Sequence, residues 1–388
     1  MKKRKLNVIA SILVSGMLTA SITVADTQSV AVKLDAIRNL MDAAANGTNT
    51  NVTYILFGDS TRDSDKAGQE FIYGKHLAQV NVKYVHNARS GLQAYQWIRN
   101  TVPAASLQKA IDNTEGEGEN TIMEFSLGIN DFNAFGEAKT KTNIIESLEA
   151  YITAKPKAHI VLIVPVSHNT AFQKKWPVLY TQIAEQFDLP LLNKERVLYS
   201  AFNDQYDRYY YDGTHPCFFG AMRLTRYILE SISGPVAKSK MSWQNDFFAG
   251  SKNEDASVNL AENKTIYTNS WYWPHNKSAT IPGGSRQSHP SFRAIEPIAI
   301  NGNSLIKLSG VTAYGISMID SSDKLIYTFH PTTWKNHDIV YFYLPAETAK
   351  IKVTLSSAGS PAITYLNTGE LAALTAKDIY YKKKTVGR

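Results

Sequence analysis

The 388-residue chain has one cysteine, Cys217, so no intramolecular disulfide can form. Its domains must be held by packing alone, and thiolate-rich zinc sites are excluded. Long apolar runs are missing beyond the first 25 residues, so no later segment is expected to insert into a bilayer. There is no internal repeat of fixed period and no low-complexity tract. A strong charge of one sign is lacking as well. Of the formal +7, Lys2, Lys3, Arg4 and Lys5 contribute four charges in a stretch without an acid, leaving +3 for the rest. Lys382, Lys383, Lys384 and Arg388 place more of the remainder in the tail, so the body is near neutral and no nucleic-acid partner is expected.

What is present is globular in kind: 44% hydrophobic residues, 11% aromatics and 19% charged residues. The length suggests about two domains. Residues 1–25 have a basic start, a mostly apolar stretch from Val8 to Thr23, and small residues at Thr23-Val24-Ala25. That pattern predicts a secretory signal peptide cleaved near Ala25 and a periplasmic or secreted protein. Residues 26–50 form a lead segment.

From 51 to 234, short β-branched runs alternate with longer amphipathic stretches. Val52–Phe57, Val82–His86, Thr121–Ser126, Ile160–Val164 and Leu189–Leu192 read as strands. Gly68–Gln79, Leu92–Asp112, Asn143–Ala154, Phe172–Phe187 and a stretch from Pro216 through Ile228 read as helices, some broken by turns. Near-continuously apolar strands separated by helices predict an α/β fold, a parallel five-stranded sheet with helices on both faces. Residues 235–262 read as a linker. Beyond it, short strand-like runs (Ser304–Leu308, Ala313–Ile319, Lys324–Phe329, Ile339–Leu344, Ile351–Leu355) lie between Gly, Pro, Asn and Ser clusters. They predict a C-terminal antiparallel β-sandwich, jelly-roll-like, over 263–388.

Four segments carry chemistry. Gly58-Asp59-Ser60-Thr61 follows the first strand, where a serine can present its hydroxyl at the carboxyl edge of the sheet. Asn87-Ala88-Arg89-Ser90-Gly91 follows the second, and Gly91 can bring a backbone N–H close to a substrate oxygen. Gly128-Ile129-Asn130-Asp131 follows the third, where Asn130 can aim its amide at the same point. Asp212-Gly213-Thr214-His215-Pro216 precedes the last helix, for which Pro216 suits the first turn. The three-residue separation lets Asp212 orient the His215 imidazole towards a serine. Each segment alone has an ordinary reading as a turn or cap, and none of the other eight histidines follows an Asp at this spacing.

Together, and in this order, these motifs resemble the SGNH (GDSL-type) hydrolase superfamily over roughly residues 51–233. The resemblance implies a flavodoxin-like three-layer domain and a Ser60, Asp212, His215 triad. It further implies an oxyanion hole made by the Ser60 N–H, the Gly91 N–H and the Asn130 amide, with no metal or organic cofactor. Thr61 stands where the name-giving Leu would be. Gly-Asp-Ser-Thr with Asp-Gly-Thr-His-Pro is similar to the carbohydrate O-acetylesterase branches, although those often place His where this chain has Ile129.

The expected substrate is an acylated glycan, cut by a serine esterase that prefers short O-acyl groups. Trp271, Tyr272, Trp273 and Trp334 can offer sugar-stacking platforms, although at least two are expected to pack in the sandwich core. A lipase, phospholipase or thioesterase is the alternative, with Phe132, Phe135, Phe218 and Phe219 able to line an acyl groove. A carbohydrate-binding surface protein on a hydrolase scaffold is the third reading. His168, after the fourth strand, is a candidate substrate contact. Arg62, Asp63 and Asp65, just past the serine, are placed to contact a polar substrate, but such a charged run is more often a solvated loop, and they are read as one.

Overall fold

The computed structural model describes residues 34–62, 69–165, 175–193, 216, 218–243, 257–272, 283–302, 304–329 and 339–366. Its first half is built on β1 (Thr53–Gly58), β2 (Lys83–Ala88), β3 (Thr121–Ser126), β4 (His159–Ile163) and β5 (Leu191–Leu192), in the order β2-β1-β3-β4-β5. All pairs are parallel. Every residue of β1 and β3 is buried, as expected of strands covered on both faces.

Alternation along the strands divides the core in two. Tyr54, Leu56, Ile122, Val161 and Ile163 face a layer made by α1 (34–46), α2 (Gln69–Ala78), α8 (Phe218–Ile232) and α9 (Pro235–Lys240). Phe57, Met123, Phe125, Ile160 and Leu162 face the opposite layer. That layer holds α3 (Ala94–Ile98), α4 (Leu107–Asp112), α5 (Ile129–Phe135), α6 (Glu137–Ala154) and α7 (Lys175–Phe187). The single helix expected over Leu92–Asp112 is therefore two short ones. Asn100 at φ 54° and Pro103 separate them, and the Ser106 side chain caps the second by accepting from the Lys109 N–H.

Both margins of the first half are tied in. Leu34, Ile37, Met41, Ala44 and Ala45 bury the inner face of α1. Asp42 on the same helix accepts from the Ala237 N–H at 2.8 Å, so α9 packs on this layer although residues 235–262 read as a linker. Just beyond α9, Trp243 stacks on His76 with ring centroids 3.7 Å apart. Burial pushes the His76 pKa down to about 4, only partly opposed by its contact with Gln79. A histidine depressed in the folded state contributes full stability above its unfolded pKa of about 6.5, and that stability is lost as pH falls towards 4. The loss at pH 4 is expected to reach about 3 kcal/mol. In urea titrations from pH 7 to pH 4, His76→Phe, which keeps the stack but cannot titrate, should flatten that part of the pH dependence. Equal slopes in both proteins would refute the assignment.

The second half is an antiparallel β-sandwich. One sheet runs β13 (Leu325–Phe329), β12 (Ala313–Ile319), β15 (Lys350–Leu355), β9 (Arg293–Ile295), β6 (Ile266–Tyr267), with β10 (Ile298–Ala299) also pairing to β15. The other runs β14 (Ile339–Leu344), β11 (Ser304–Ser309), β16 (Ala362–Tyr365), and β7 (Ser270–Tyr272) pairs with β8 (Arg286–Ser288). Ile316, Met318, Ile351 and Val353 from the first sheet meet Ile306, Leu308, Phe342 and Ile363 from the second in one core. Leu260 and Ala261 belong to this core as well.

That core also takes in Ile72 of α2 and Ala221 of α8, with Phe71 and Met222 packed beside them. A Lys75–Glu347 ion pair of 2.7 Å crosses the same seam. The sandwich thus sits on the outer faces of α2 and α8.

Candidate active site

Strand register sets the site. Gly58 pairs with Ala88 on β2 and with Ser126 on β3, so the loops after these three strands leave the sheet at one level. Ser60, Gly91 and Asn130 lie two, three and four residues beyond that level, side by side at the carboxyl edge.

The Ser60 turn is held from within. The Arg62 N–H donates to the Asp59 carbonyl at 3.0 Å, closing a turn that contains the serine. The fully buried Asp59 carboxylate accepts from the Thr61 N–H and the Thr61 hydroxyl, both at 2.9 Å. Ser60 itself is half-buried.

The second loop is pinned to the first, since the Arg89 N–H donates to the Gly58 carbonyl at 3.2 Å. Asn87 fixes its base by a two-way bridge with the Ser106 backbone, at 3.1 and 3.0 Å. Gly91 is exposed with φ +78°, and its N–H has no backbone acceptor among the described residues. A Cβ there would meet nothing within 4 Å, so it is the left-handed backbone that favours glycine at this position.

The third loop turns sharply at Gly128 into α5. Asn130 lies in the first turn, and its Nδ2 donates to the Leu92 carbonyl at 3.1 Å, which orients the amide across to the second loop. The Gln93 amide returns the bond to the Asn130 carbonyl at 3.2 Å. Beneath them, Asp131 accepts from the Ala94 N–H and the Asn143 amide, each at 2.8 Å. Burial raises the pKa of this carboxyl, and those two bonds oppose the rise. Tyr180 clamps Leu127 by both of its backbone groups. Gly128 has φ +123°, and a Cβ there would stand 2.9 Å from Ile144 and 3.0 Å from the Trp176 ring. Gly128→Ala is therefore expected to destabilise by at least about 2 kcal/mol through strain and overpacking. A urea midpoint indistinguishable from wild type would contradict this.

Other expected residues divide differently. Asp212, His215 and His168 lie outside the described residues, as do Asp63, Asp65, Cys217, Trp273 and Trp334. Arg62 is not a solvated loop residue: it is 0% exposed, because its charge is paired inside the domain with Glu124 of β3. Tyr272 is buried in the sandwich, with its hydroxyl on the Ile295 carbonyl, whereas Trp271 is half-buried among His289, Phe292 and Tyr314. Phe132 packs on Trp176, and Phe135, 44% exposed, meets the edge of Tyr95 at the outer end of α5.

The serine, glycine and asparagine loops follow β1, β2 and β3 of a sheet ordered 2-1-3-4-5. This strand order is the flavodoxin-like one. No protein-family model matches the chain, and neither does any curated protein. Among solved structures the chain is similar to a member of the lipolytic protein G-D-S-L family from Veillonella parvula. The two are 16% identical over 46% of this chain and 97% of that one, with a TM-score of 0.36. It is also similar to a catalytic mutant of an acetylxylan esterase from Geobacillus stearothermophilus, 15% identical over 48% and 95%, TM-score 0.39. A two-domain esterase active on acetylated mannans, co-crystallised with mannopentaose, is 13% identical over 86% of this chain and 95% of its own, TM-score 0.37.

Proposed function

We propose that the protein is an exported serine esterase that removes short O-acyl groups, acetyl above all, from a glycan. The observation that carries this reading is the level register of Gly58, Ala88 and Ser126, from which the loops bearing Ser60, Gly91 and Asn130 leave one edge of the sheet. Gly-Asp-Ser-Thr, Asp-Gly-Thr-His-Pro and the basic, apolar N-terminal segment supply the rest of the support.

In this reading His215 takes the Ser60 proton as Oγ attacks the ester carbonyl, and Asp212 holds the imidazole in the required tautomer. The carbonyl oxygen becomes an oxyanion bound by the Ser60 N–H, the Gly91 N–H and the second hydrogen of Asn130 Nδ2. Each such donor contributes on the order of 3 kcal/mol to the transition state. The imidazolium gives its proton to the departing sugar oxygen as the C–O bond breaks, releasing the sugar hydroxyl and leaving an acyl-serine. Water, deprotonated by His215, then hydrolyses it and restores Ser60.

The test is turnover of nitrophenyl esters from acetate to decanoate, followed by release of acetate from acetylated glycans, with Ser60→Ala as control. Rates that fall with chain length and depend on Ser60 are expected. Preference for long chains would favour a lipase, for which exposed Phe135 beside Tyr95 is the specific support. Absence of Ser60-dependent hydrolysis on every ester would refute the enzyme reading.

A further inference from the structure

Arg62 lies two residues past Ser60, yet its side chain turns away from solvent into the layer between the sheet and α2/α8. Its stem runs so close beneath the end of β1 that a Cβ on Gly58 would lie 2.5 Å from Arg62 Cγ and 2.7 Å from its Cβ. The glycine before the nucleophile is therefore needed for the path of this side chain. At the far end, Nη2 alone carries the hydrogen bonding: it pairs with Glu124 Oε1 and donates to the Tyr73 hydroxyl. Nε and Nη1 have no acceptor among the described residues.

Glu124 is equally committed. Its Oε2 accepts from the Tyr54 hydroxyl at 2.6 Å and the Tyr73 hydroxyl at 2.7 Å. The Arg62 guanidinium also lies 5.3 Å from the centre of the Tyr73 ring. Gln69, at the start of α2, donates to the Thr61 carbonyl at 2.6 Å. Thr225 of α8 faces the Tyr73 hydroxyl, and α8 begins three residues after His215. The buried cluster therefore joins β1, the serine turn, α2, β3 and the helix that follows the histidine.

A fully buried ion pair is poor at stabilising a fold, because desolvation offsets its attraction. Its best-attested use is to fix one arrangement among several. We infer that Arg62 is a positioning residue, which holds the Asp59–Arg62 turn at one height so that Ser60 Oγ and N–H keep the alignment needed for attack. This rests on Ser60 being the nucleophile. Charge paired at one end and steric contact with Gly58 at the other leave the turn no room to ride up from the sheet.

The test measures kcat and KM on nitrophenyl acetate, with kcat expressed per serine titrated by a fluorophosphonate. The Arg62→Met/Glu124→Leu double variant removes both charges together and so leaves no ion buried alone. It is expected to lose about 10²-fold in kcat per titrated serine, the scale of a 1 Å misplacement, with KM within about threefold. Arg62→Lys should recover most of that loss, because one donor nitrogen makes both contacts. Tyr73→Phe, which keeps the ion pair, should lose about tenfold and decides the matter if the double variant does not fold. A folded variant whose kcat per titrated serine stays within about twofold of wild type would overturn the inference. If Ser60→Ala also abolished activity, the triad would stand without it. Retained activity in Ser60→Ala would instead sink the nucleophile assignment itself.

Discussion

Ser60→Ala is expected to lower kcat on nitrophenyl acetate by about 10⁶-fold, the scale seen when a triad serine is removed. KM should change little, because in the proposed mechanism the lost hydroxyl acts in the transition state and not in ground-state binding. The loss should stop short of the uncatalysed rate, since in the proposed mechanism Gly91 and Asn130 remain to bind the developing oxyanion. Stability should hold within about 0.5 kcal/mol, since Ser60 is half-buried at an edge and a smaller side chain fits there. Intact-mass analysis after brief exposure to substrate gives a second readout. Wild type should carry a transient acyl adduct and Ser60→Ala none. Equal turnover in the two proteins would rule Ser60 out.

The largest expected stability effect lies beneath that serine. Glu124→Ala would leave the Arg62 guanidinium buried without its counter-charge and take the acceptor from the Tyr54 and Tyr73 hydroxyls. Stranding one partner of a buried pair costs about 3–5 kcal/mol. The α/β half should then unfold at clearly lower urea concentration, while the sandwich, whose core is separate for most of its extent, changes far less. Adding Arg62→Met and changing residue 124 to Leu should recover most of the stability, since apolar replacements of both partners are often neutral or better. A Glu124→Ala midpoint unchanged from wild type would show that the pair is not buried as described.

The same pair shows how far the sequence can be read. β3, β12 and β14 lie where their apolar, β-branched runs predict, to the residue, because burial on a packed sheet and strand propensity favour the same stretch. Other strands and helices moved at their ends by one residue or several, as capping and fraying are set by neighbours that the local pattern does not contain. α1 was legible in the spacing of Leu34, Ile37, Met41 and Ala45, but its place beside the predicted signal segment disguised it as a lead. β6 to β10 are two or three residues long and partly polar, with no period to detect.

At the candidate site, Ser60, Gly91 and Asn130 could be proposed because each follows a recognisable strand. Arg62 was misread because Arg62-Asp63-Ser64-Asp65 has the composition of a solvated loop. Its partner is 62 positions away. The overlooked signal was Glu124 itself, a carboxylate in the middle of the otherwise apolar run Thr121–Phe125. A charge there requires a buried counter-charge from somewhere else in the chain.

The seam between the halves has a consequence for how such a protein can be inherited or rebuilt. The sandwich rests on Ile72, Phe71, Ala221 and Met222, which belong to the helices following the serine loop and the histidine segment. Cutting the chain between the halves would bare that apolar surface on the α/β half. Grafting a different second domain would require redrawing the outer faces of α2 and α8. The two halves thus share one packed seam, and exchanging the second like a bead on a string would disturb the helices behind the candidate site.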